Sequence, residues 1–526
     1  MSTGSIHITR RTIGIYALVT GFTILGGIIQ GLSYMAIACL VIFITSIFLI
    51  ATEILIRSTA ALLGAFLIFV IFMLEGSHSP VEIAHHYIEI NTILTLFGII
   101  IVASLGLKSG LFYFIGMKVA KASRGNPIVL YFILAVFTFV LNIFLIAVAT
   151  IVVVVSLTLA ICDILKIEPR PYVLMEIFVV NVAASATMIS AVPNIIIAEK
   201  AALTYTFYIV NLLPFVVCFF LVSIWFIYKT FPPPTHVDIL RASAILEIDE
   251  WLFVKNKMEF YVSAVCIIGL IIGFIASREL MVVSILFAVL ALALYSKPEE
   301  LIRDVDWDTL LFFMGFYVII AGLSLTGVLD GIANALVSAS GGNIFILVTL
   351  LFWISVIVSG FVDNIPYVLV IIPIINILVS NGQFAQYEAM FWIMLILACN
   401  IGGGLNPYSA PQNPLALSLA KRAKYPILTS DFYRISMKWT IIGGMMAYLY
   451  VMMLLVAPTI IAVIGYVTFI LIVTVSIISV FLVAIHRILG IRVFAGYIKT
   501  FMRYTYNTIR PWIRRLKMKT KKSLKT

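Results

Sequence analysis

Apolar stretches long enough to cross a lipid bilayer recur along almost the whole of this chain. A helix that spans the hydrocarbon core needs about 20 mostly apolar residues. Only 11% of the 526 residues are charged, against about 25% in soluble domains, so a soluble fold could not bury this many apolar side chains. The sequence predicts an all-α polytopic membrane protein with roughly a dozen spans. Clear spans are residues 12–29, 58–74, 206–228, 259–276, 281–295, 309–325 and 437–456.

The net charge of +11 arises at the C-terminal end of the chain. Residues 487–526 contain twelve Lys and Arg and no acidic residue, which leaves 22 basic and 23 acidic residues elsewhere. Cytoplasmic segments of membrane proteins are rich in Lys and Arg, so we expect a multi-pass protein of the cell membrane with a cytoplasmic C-terminus. Aromatic residues such as Trp512 among the basic ones favour anionic lipid, not nucleic acid, as the partner of this tail.

Hydrophilic stretches between residues 231 and 308 divide the chain into halves that match one another. An offset of 217 residues aligns Gly98 with Gly315, and an offset of 219 aligns Asn181 with Asn400. Paired repeats of this kind are typical of secondary transporters. The predicted organisation is N-terminal transmembrane helices in residues 1–90, a first repeat in 91–230, hydrophilic linkers and connecting helices in 231–308, a second repeat in 309–456, an extra C-terminal transmembrane helix in 457–486 and a basic cytoplasmic tail in 487–526.

The apolar run of residues 343–373 is too long for one crossing and is interrupted in its middle by Gly360, Asp363, Asn364 and Pro366. This pattern predicts a re-entrant hairpin followed by a helix, because proline disfavours helix at the preceding residue. A carboxylate within a membrane segment costs at least about 2.5 to 3.5 kcal/mol, and such residues are usually functional. Asp363 is therefore a candidate ion-binding residue, with a helix cap at the aqueous interface as the alternative.

A second interruption lies in residues 400–413, where three successive glycines are followed by Pro407 and Pro411. Glycines let the backbone approach a ligand closely, and prolines prevent the helix from closing again. Two half-helices that flank a polar unwound stretch form a site for ions or anions in transporters. The alternative is a face of small residues for helix packing.

These two segments together resemble the paired signatures of the ion transporter clan, which includes arsenite permeases, NhaD-type sodium/proton antiporters, P-protein-like transporters and citrate or dicarboxylate symporters. The resemblance covers roughly residues 90–456. It implies two repeats of inverted topology, each with a re-entrant hairpin and a broken transmembrane helix. It is specific for the fold and not for the substrate.

The resemblance also implies which residues hold the substrate and the coupling ions. In the clan, an Asp-Asn pair forms the hairpin tip and an Asn-Gly-Gly segment forms the unwound helix. In the second repeat the matching positions are Asp363, Asn364, Asn400, Gly402, Gly403, Gly404, Asn406, Ser409 and Asn413. In the first repeat they are Asn181, Ala183, Ala184, Ser185, Thr187, Ser190 and Asn194.

The first repeat departs from the clan's pattern at two places. Ile146 and Ala147 replace the Asp-Asn pair, and Ala183 and Ala184 replace the glycines. This departure implies that one of two ion sites is degraded. Glu176 resembles an acidic position that precedes the first asparagine segment in the clan, so it is a second candidate proton carrier beside Asp363; an interfacial cap or an internal hydrogen-bond partner is the alternative.

No cofactor and no metal site is predicted, and sodium or a proton is the expected coupling ion. The chain lacks a GxxxxGK phosphate loop, so ATP-driven pumping by this chain alone is not supported. The expected partners are the lipid bilayer, a small inorganic ion or anion as substrate, and anionic lipid at the basic tail. A homodimer is left open.

The function that these features favour is secondary active transport of a small ion or anion by alternating access, of the arsenite/oxyanion or sodium/proton exchange type. One alternative is an organic-anion symporter of the citrate or dicarboxylate type, although no fixed cation lies closer in sequence to the breaks than Lys200 and Lys421. Another is a membrane receptor or scaffold that kept the fold without transport. An enzyme is not predicted, because the chain has no dense cluster of acids or histidines.

Overall fold

The computed structural model describes residues 10–456, apart from residues 53, 236, 238–244 and 381. The predicted extra helix in residues 457–486 and the basic tail in 487–526 lie outside the described residues. Within the described part, the regular structure is helical throughout. Eleven of its helices are long and apolar enough to cross a membrane. The all-α polytopic fold with roughly a dozen spans is therefore confirmed.

The helices are numbered here in chain order. The first half contains α1 (Arg10–Ile29), α2 (Tyr34–Ala51), α3 (Arg57–Glu75), α4 (Pro80–Tyr87), α5 (Ile90–Lys108), α6 (Leu111–Lys121), α7 (Pro127–Phe144), α8 (Ala147–Leu165), α9 (Arg170–Ala183), α10 (Val192–Lys200), α11 (Tyr205–Asn211) and α12 (Leu213–Thr230). The second half contains α13 (Lys257–Ala276), α14 (Leu280–Leu294), α15 (Pro298–Arg303), α16 (Trp307–Leu325), α17 (Val328–Ser340), α18 (Ile344–Phe361), α19 (Asn364–Ser380), α20 (Glu388–Gly402), α21 (Gln412–Arg422) and α22 (Thr429–Val456).

The interruptions that the sequence predicts are present. Helices α18 and α19 are joined by residues 362–363 alone, and α20 and α21 are separated by residues 403–411. In the first half, α7 and α8 are joined by residues 145–146, and α9 and α10 are separated by residues 184–191. We call residues 184–191 the first break, residues 403–411 the second break and residues 359–364 the hairpin tip.

The predicted span at residues 206–228 is not one helix. It is divided at Leu212, whose backbone departs from ideal helical angles, into α11 and the longer α12. Pro214 lies in the first turn of α12, where its missing N–H costs no helical hydrogen bond. Proline at this position explains why a new helix begins here instead of the old one continuing.

Two close helix pairs connect the halves, α3 with α16 and α5 with α14. Both depend on a glycine. A Cβ on Gly315 would lie 2.6 Å from the backbone of Ala61, and a Cβ on Gly98 would lie 2.6 Å from the backbone of Ser284. Small residues allow membrane helices to approach backbone to backbone, so these glycines are required by packing. The offset between Gly98 and Gly315 is the one that aligns the halves in the sequence.

Candidate functional site

The second break is closed by two side chains that bind the same two carbonyl groups. Asn413 Nδ2 donates to Gly403 O at 2.8 Å and to Asn406 O at 3.2 Å. The Ser409 hydroxyl lies 2.8 and 2.7 Å from the same two oxygens. An unwound helix leaves carbonyl groups without helical partners, and buried carbonyls need a replacement donor. Asn413 and Ser409 therefore stabilise the unwound backbone.

The first break is closed in the same way, at the same offset of 219 residues. Asn194 Nδ2 donates to Ala184 O at 2.6 Å and to Thr187 O at 2.8 Å. The Ser190 hydroxyl lies 2.7 and 2.6 Å from these oxygens. Closure of the backbone does not decide whether an ion binds here, so the degraded first ion site stays a prediction. Alanine in place of glycine leaves the unwound backbone intact, and what the first repeat lacks is the carboxylate of a hairpin tip.

The helix ends that flank the two breaks meet through amide side chains, all of them buried. Asn181 Nδ2 donates to Asn413 Oδ1 at 2.8 Å, and Asn400 Nδ2 donates to Asn194 Oδ1 at 3.0 Å. Gln412 Nε2 completes this network by donating to Asn181 Oδ1 at 3.1 Å. We call these five residues the amide crossing. Protein oxygens already occupy the amide donors of its four asparagines, so the structure gives them a structural role, and direct contact with a ligand stays a prediction.

Sequence reasoning missed Gln412, which follows Pro411 and begins α21. Two other predicted residues, Thr187 and Ser185, lie in the first break, but their side chains make no hydrogen bond to the amide crossing. The Thr187 hydroxyl donates to Ile143 O at 2.8 Å and so ties the first break to the end of α7. Ser185 is buried within the first break.

The hairpin tip packs directly against the end of α20. The Ser359 hydroxyl donates to Cys399 O at 2.9 Å. A Cβ on Gly402 would lie 2.6 Å from Val356 O, so this glycine is needed for the contact. A Cβ on Gly360 would lie 3.3 Å from the carbonyl oxygen of Gly402. The hairpin tip therefore contacts both the end of α20 and the start of the second break.

Asp363 lies at the turn of the hairpin tip and uses its two carboxylate oxygens differently. Oδ1 accepts a hydrogen bond from Ile365 N at 3.0 Å, which caps the start of α19. Oδ2 lies 3.6 Å from Arg57 Nη1, and the Asp363 side chain is 20% exposed. Asp363 thus caps a helix and also carries a charge that is paired in part with Arg57. Arg57, which lies on α3, was not among the predicted site residues.

Asn364, the next residue, carries an amide oxygen without a partner in the described part of the chain. The residue is buried, and its Oδ1 atom accepts no hydrogen bond from any of the described residues. A buried polar atom without a partner costs free energy unless water or a ligand satisfies it. Asp363 and Asn364 together therefore present one charged and one neutral oxygen ligand at the hairpin tip.

Glu176 is fully buried in α9, one and a half turns before Asn181. The Thr158 hydroxyl on α8 donates to Glu176 Oε1, whereas Oε2 has no hydrogen-bond partner among the described residues. The hydrogen bonds and ion pairs of the described residues do not connect Glu176 to Asp363. The structure thus favours an internal hydrogen-bond partner over an interfacial cap, and the role of proton carrier stays a prediction.

Membrane-length helices around two crossed broken helices and a helical hairpin define a polytopic membrane transporter. The chain belongs to the citrate transporter family, whose family model matches residues 47–397. A protein of Mycobacterium tuberculosis named as an uncharacterized transporter is 28% identical over 405 residues, covering 76% of this chain and 94% of the relative. The P protein of Mus musculus is 23% identical over 469 residues, covering 74% of this chain and 56% of the relative.

Among solved structures, the YdaH transporter of Alcanivorax borkumensis aligns with a TM-score of 0.46 and 11% identity, over 70% of this chain and 86% of that chain. The family and the relative from Mycobacterium tuberculosis are named as transporters and not as enzymes. The chain is therefore a transporter, and the predicted resemblance to the ion transporter clan is confirmed at the level of the family.

The two glycines of the second break, Gly403 and Gly404, differ in how much space they have. A Cβ on Gly404 would lie 2.3 Å from the ring of Trp439, which is held by a hydrogen bond to Ser223 at 2.9 Å. A Cβ on Gly403 would meet nothing closer than Ala410 at 3.4 Å, and Gly403 has an ordinary helical φ of −57°. Gly404→Ala should therefore destabilise the protein by about 1 to 3 kcal/mol, the usual effect of overpacking, while Gly403→Ala should be nearly neutral.

Thermal unfolding of the two variants in detergent tests this difference. Equal melting temperatures for Gly403→Ala and Gly404→Ala would show that Trp439 moves aside freely and that the second break is not tightly packed.

Proposed function

We propose that this transporter works by secondary active transport, moving a small ion or anion by alternating access, with Asp363 as the group that binds the coupling sodium ion or proton. The supporting observation is the hairpin tip itself. There the consecutive residues Asp363 and Asn364 carry a carboxylate and an unpaired amide oxygen, and the tip packs against the broken helix α20. Ionisable residues within membrane segments mark ion pathways and proton relays.

Alternating access requires that the occupied and the empty site can both be exposed, in turn, on the two sides of the membrane. A broken helix and a hairpin tip that contact each other can move together, because hydrogen bonds such as that of Ser359 join them. We propose the cell membrane as the location. The arsenite/oxyanion and sodium/proton exchange types both fit an oxygen-lined site of this kind, since neutral and charged oxygens bind cations while backbone and amide donors bind oxyanions.

Uptake by proteoliposomes tests the proposal. Vesicles that contain the purified protein receive an inward sodium or proton gradient, and the uptake of radiolabelled arsenite and citrate and the internal pH are followed. We expect one solute, or protons exchanged for sodium, to move against its own gradient, with no such movement in empty vesicles. Movement of every species only down its own gradient would contradict secondary active transport.

A second candidate is symport of an organic anion, and a cavity of about 150 Å³ favours it. Lys200 at the end of α10 lines this cavity together with Ser324 and Asn376. Pro373 also lines it and cannot donate a helical hydrogen bond to the carbonyl of Leu369. Lys200 Nζ pairs with the Glu89 carboxylate, so a carboxylate substrate would exchange with Glu89 at this cation. The cavity also offers polar groups, and the family model is that of a citrate transporter.

Lys200→Gln tests this second candidate. If a carboxylate binds in the cavity, the KM for citrate uptake should rise by about tenfold or more, because a charge-assisted contact is lost. Lys421→Gln is the matched control, since Lys421 also ends a half-helix but does not line the cavity. If both variants take up citrate with the KM of the wild type, the cavity is ruled out as a carboxylate site.

A further inference from the structure

Arg57, the first residue of α3, is surrounded by oxygen atoms from two other parts of the chain. Its Nε atom donates to Asp308 Oδ2 at 2.8 Å, and its Nη2 atom donates to the Thr309 hydroxyl at 3.0 Å. Nη2 is also 3.6 Å from Asp306 Oδ2, and Nη1 is 3.6 Å from Asp363 Oδ2. The guanidinium group therefore binds the start of α16 closely and the hairpin tip more loosely.

The charges of this group do not balance. One guanidinium faces three carboxylates, and arginine remains protonated at every physiological pH. The hydrogen bond from Ser58 N to Asp308 Oδ1 at 3.2 Å fixes the closest of the three acids in place. Negative charge is therefore in excess, and Arg57 is the one basic side chain within 4 Å of Asp363 among the described residues.

The three carboxylates differ in their exposure to solvent, and the one at the hairpin tip is the least exposed. The side chain of Asp306 is 46% exposed, that of Asp308 is 32% exposed and that of Asp363 is 20% exposed. Asp306 and Asp308 are therefore more accessible from solvent than Asp363 is. A cation bound at Asp363 Oδ2 would lie within a few ångströms of Arg57 Nη1, so the cation and the guanidinium group repel each other and compete for this oxygen.

We propose that Arg57 and the coupling cation are alternative occupants of the Asp363 carboxylate. When the cation binds, Arg57 withdraws onto Asp308 and Asp306, which already hold it. When the cation leaves, Arg57 returns and compensates the charge of the empty hairpin tip. This inference rests on the proposed role of Asp363 as the cation-binding group, and it makes Arg57 a positioning residue that sets the affinity for the cation.

Compensation of the empty tip matters for the transport cycle. An unpaired carboxylate is costly to move through a low-dielectric environment, so a bare Asp363 would oppose the return of the empty transporter. A tethered arginine removes this cost without leaving the protein. The same arginine competes with the cation for Asp363. Two positive charges a few ångströms apart repel each other, so the guanidinium group weakens cation binding.

Arg57→Gln tests the competition in proteoliposomes. The cation that drives the wild-type response, sodium or proton, is varied, and the concentration for half-maximal rate is measured. We expect this concentration to fall by about tenfold in Arg57→Gln, with a lower maximal rate, and to change by less than about threefold in Arg57→Lys, which keeps the charge. Lys108→Gln is the control, because Lys108 pairs with Glu300 and Asp304 and not with Asp363.

A second variant guards against loss of folding. Arg57→Gln combined with Asp308→Asn removes one charge of each sign, so the net charge of the group is that of the wild type. The double variant should also show the lower half-maximal concentration. An unchanged half-maximal concentration in both variants would overturn the inference and leave Arg57 a structural role only. A wild-type protein without any cation response that needs Asp363 would instead overturn the proposed function itself.

Discussion

Asp363→Asn is expected to abolish gradient-driven transport while the protein still folds. Asparagine keeps the size of the side chain and the oxygen that accepts the hydrogen bond from Ile365 N, so the start of α19 should remain capped. What the variant loses is the charge. A charge-assisted contact to the coupling cation is worth up to about 3 kcal/mol, so the gradient-driven rate should fall by roughly a hundredfold.

The measurement is the initial rate of uptake with and without an imposed sodium or proton gradient. Asp330→Asn provides the control, because Asp330 is an exposed acid on α17 in the same half of the chain. It should transport as the wild type does. An Asp363→Asn variant that retains the full acceleration by the gradient would show that the carboxylate is only a helix cap.

The second large effect is expected at the amide crossing. Asn413→Ala removes both donors to the second break and the acceptor for Asn181. Each buried polar group left without a partner costs about 1 to 3 kcal/mol. The Ser409 hydroxyl still binds the two carbonyl oxygens but cannot replace all the lost hydrogen bonds. The variant should therefore lose about 3 to 5 kcal/mol of stability and should not transport.

Thermal unfolding in detergent together with uptake by proteoliposomes measures this effect. Asn406→Ala is a close control, since the Asn406 side chain accepts a hydrogen bond from Tyr408 N at the rim of the second break, and Tyr408 is exposed. It should cost less than about 1.5 kcal/mol, the usual net value of one hydrogen bond. If the melting temperature of Asn413→Ala equals that of the wild type, the two broken helices are held together by other contacts.

The positions of the breaks were predictable because their causes are local. Glycine runs, prolines and isolated asparagines interrupt an apolar pattern, and each interruption of the sequence corresponds to an end of α9, α18 or α20. Asn181, Asn194, Asn400 and Asn413 stood out for the same reason. That the four asparagines bind one another across the halves was not predictable, since each local pattern is equally compatible with a ligand.

Contacts between distant parts of the chain account for what sequence reasoning missed. Arg57 precedes Asp363 by more than 300 residues, and an arginine at the start of an apolar stretch is typical of any membrane helix. Gln412 gave no signal because it lies among prolines and asparagines that already explained the break. Packing of helix pairs such as α3 with α16 brings such residues together, and packing cannot be read from one segment at a time.

The replacement of glycine by alanine in the first break leaves the backbone there much like that of the second break. Glycine is replaced by Ala184 at the first break, but the backbone there has a helical φ of −54°, close to the −57° of Gly403. Neither position needs the left-handed conformation that only glycine adopts easily. Closure of each break depends on one asparagine and one serine, and the first repeat retains both. The duplication of the halves, and its inverted topology, stay predictions that these matching hydrogen bonds support.

The central claim is that Asp363 couples transport to a cation, and the internal pH of proteoliposomes tests it most directly. A dye trapped inside the vesicles reports the internal pH after external pulses of sodium, lithium or potassium, for the wild type, for Asp363→Asn and for empty vesicles. We predict a cation-specific pH change in the wild type that is absent from Asp363→Asn and from empty vesicles. A pH change of equal size in Asp363→Asn would contradict the claim.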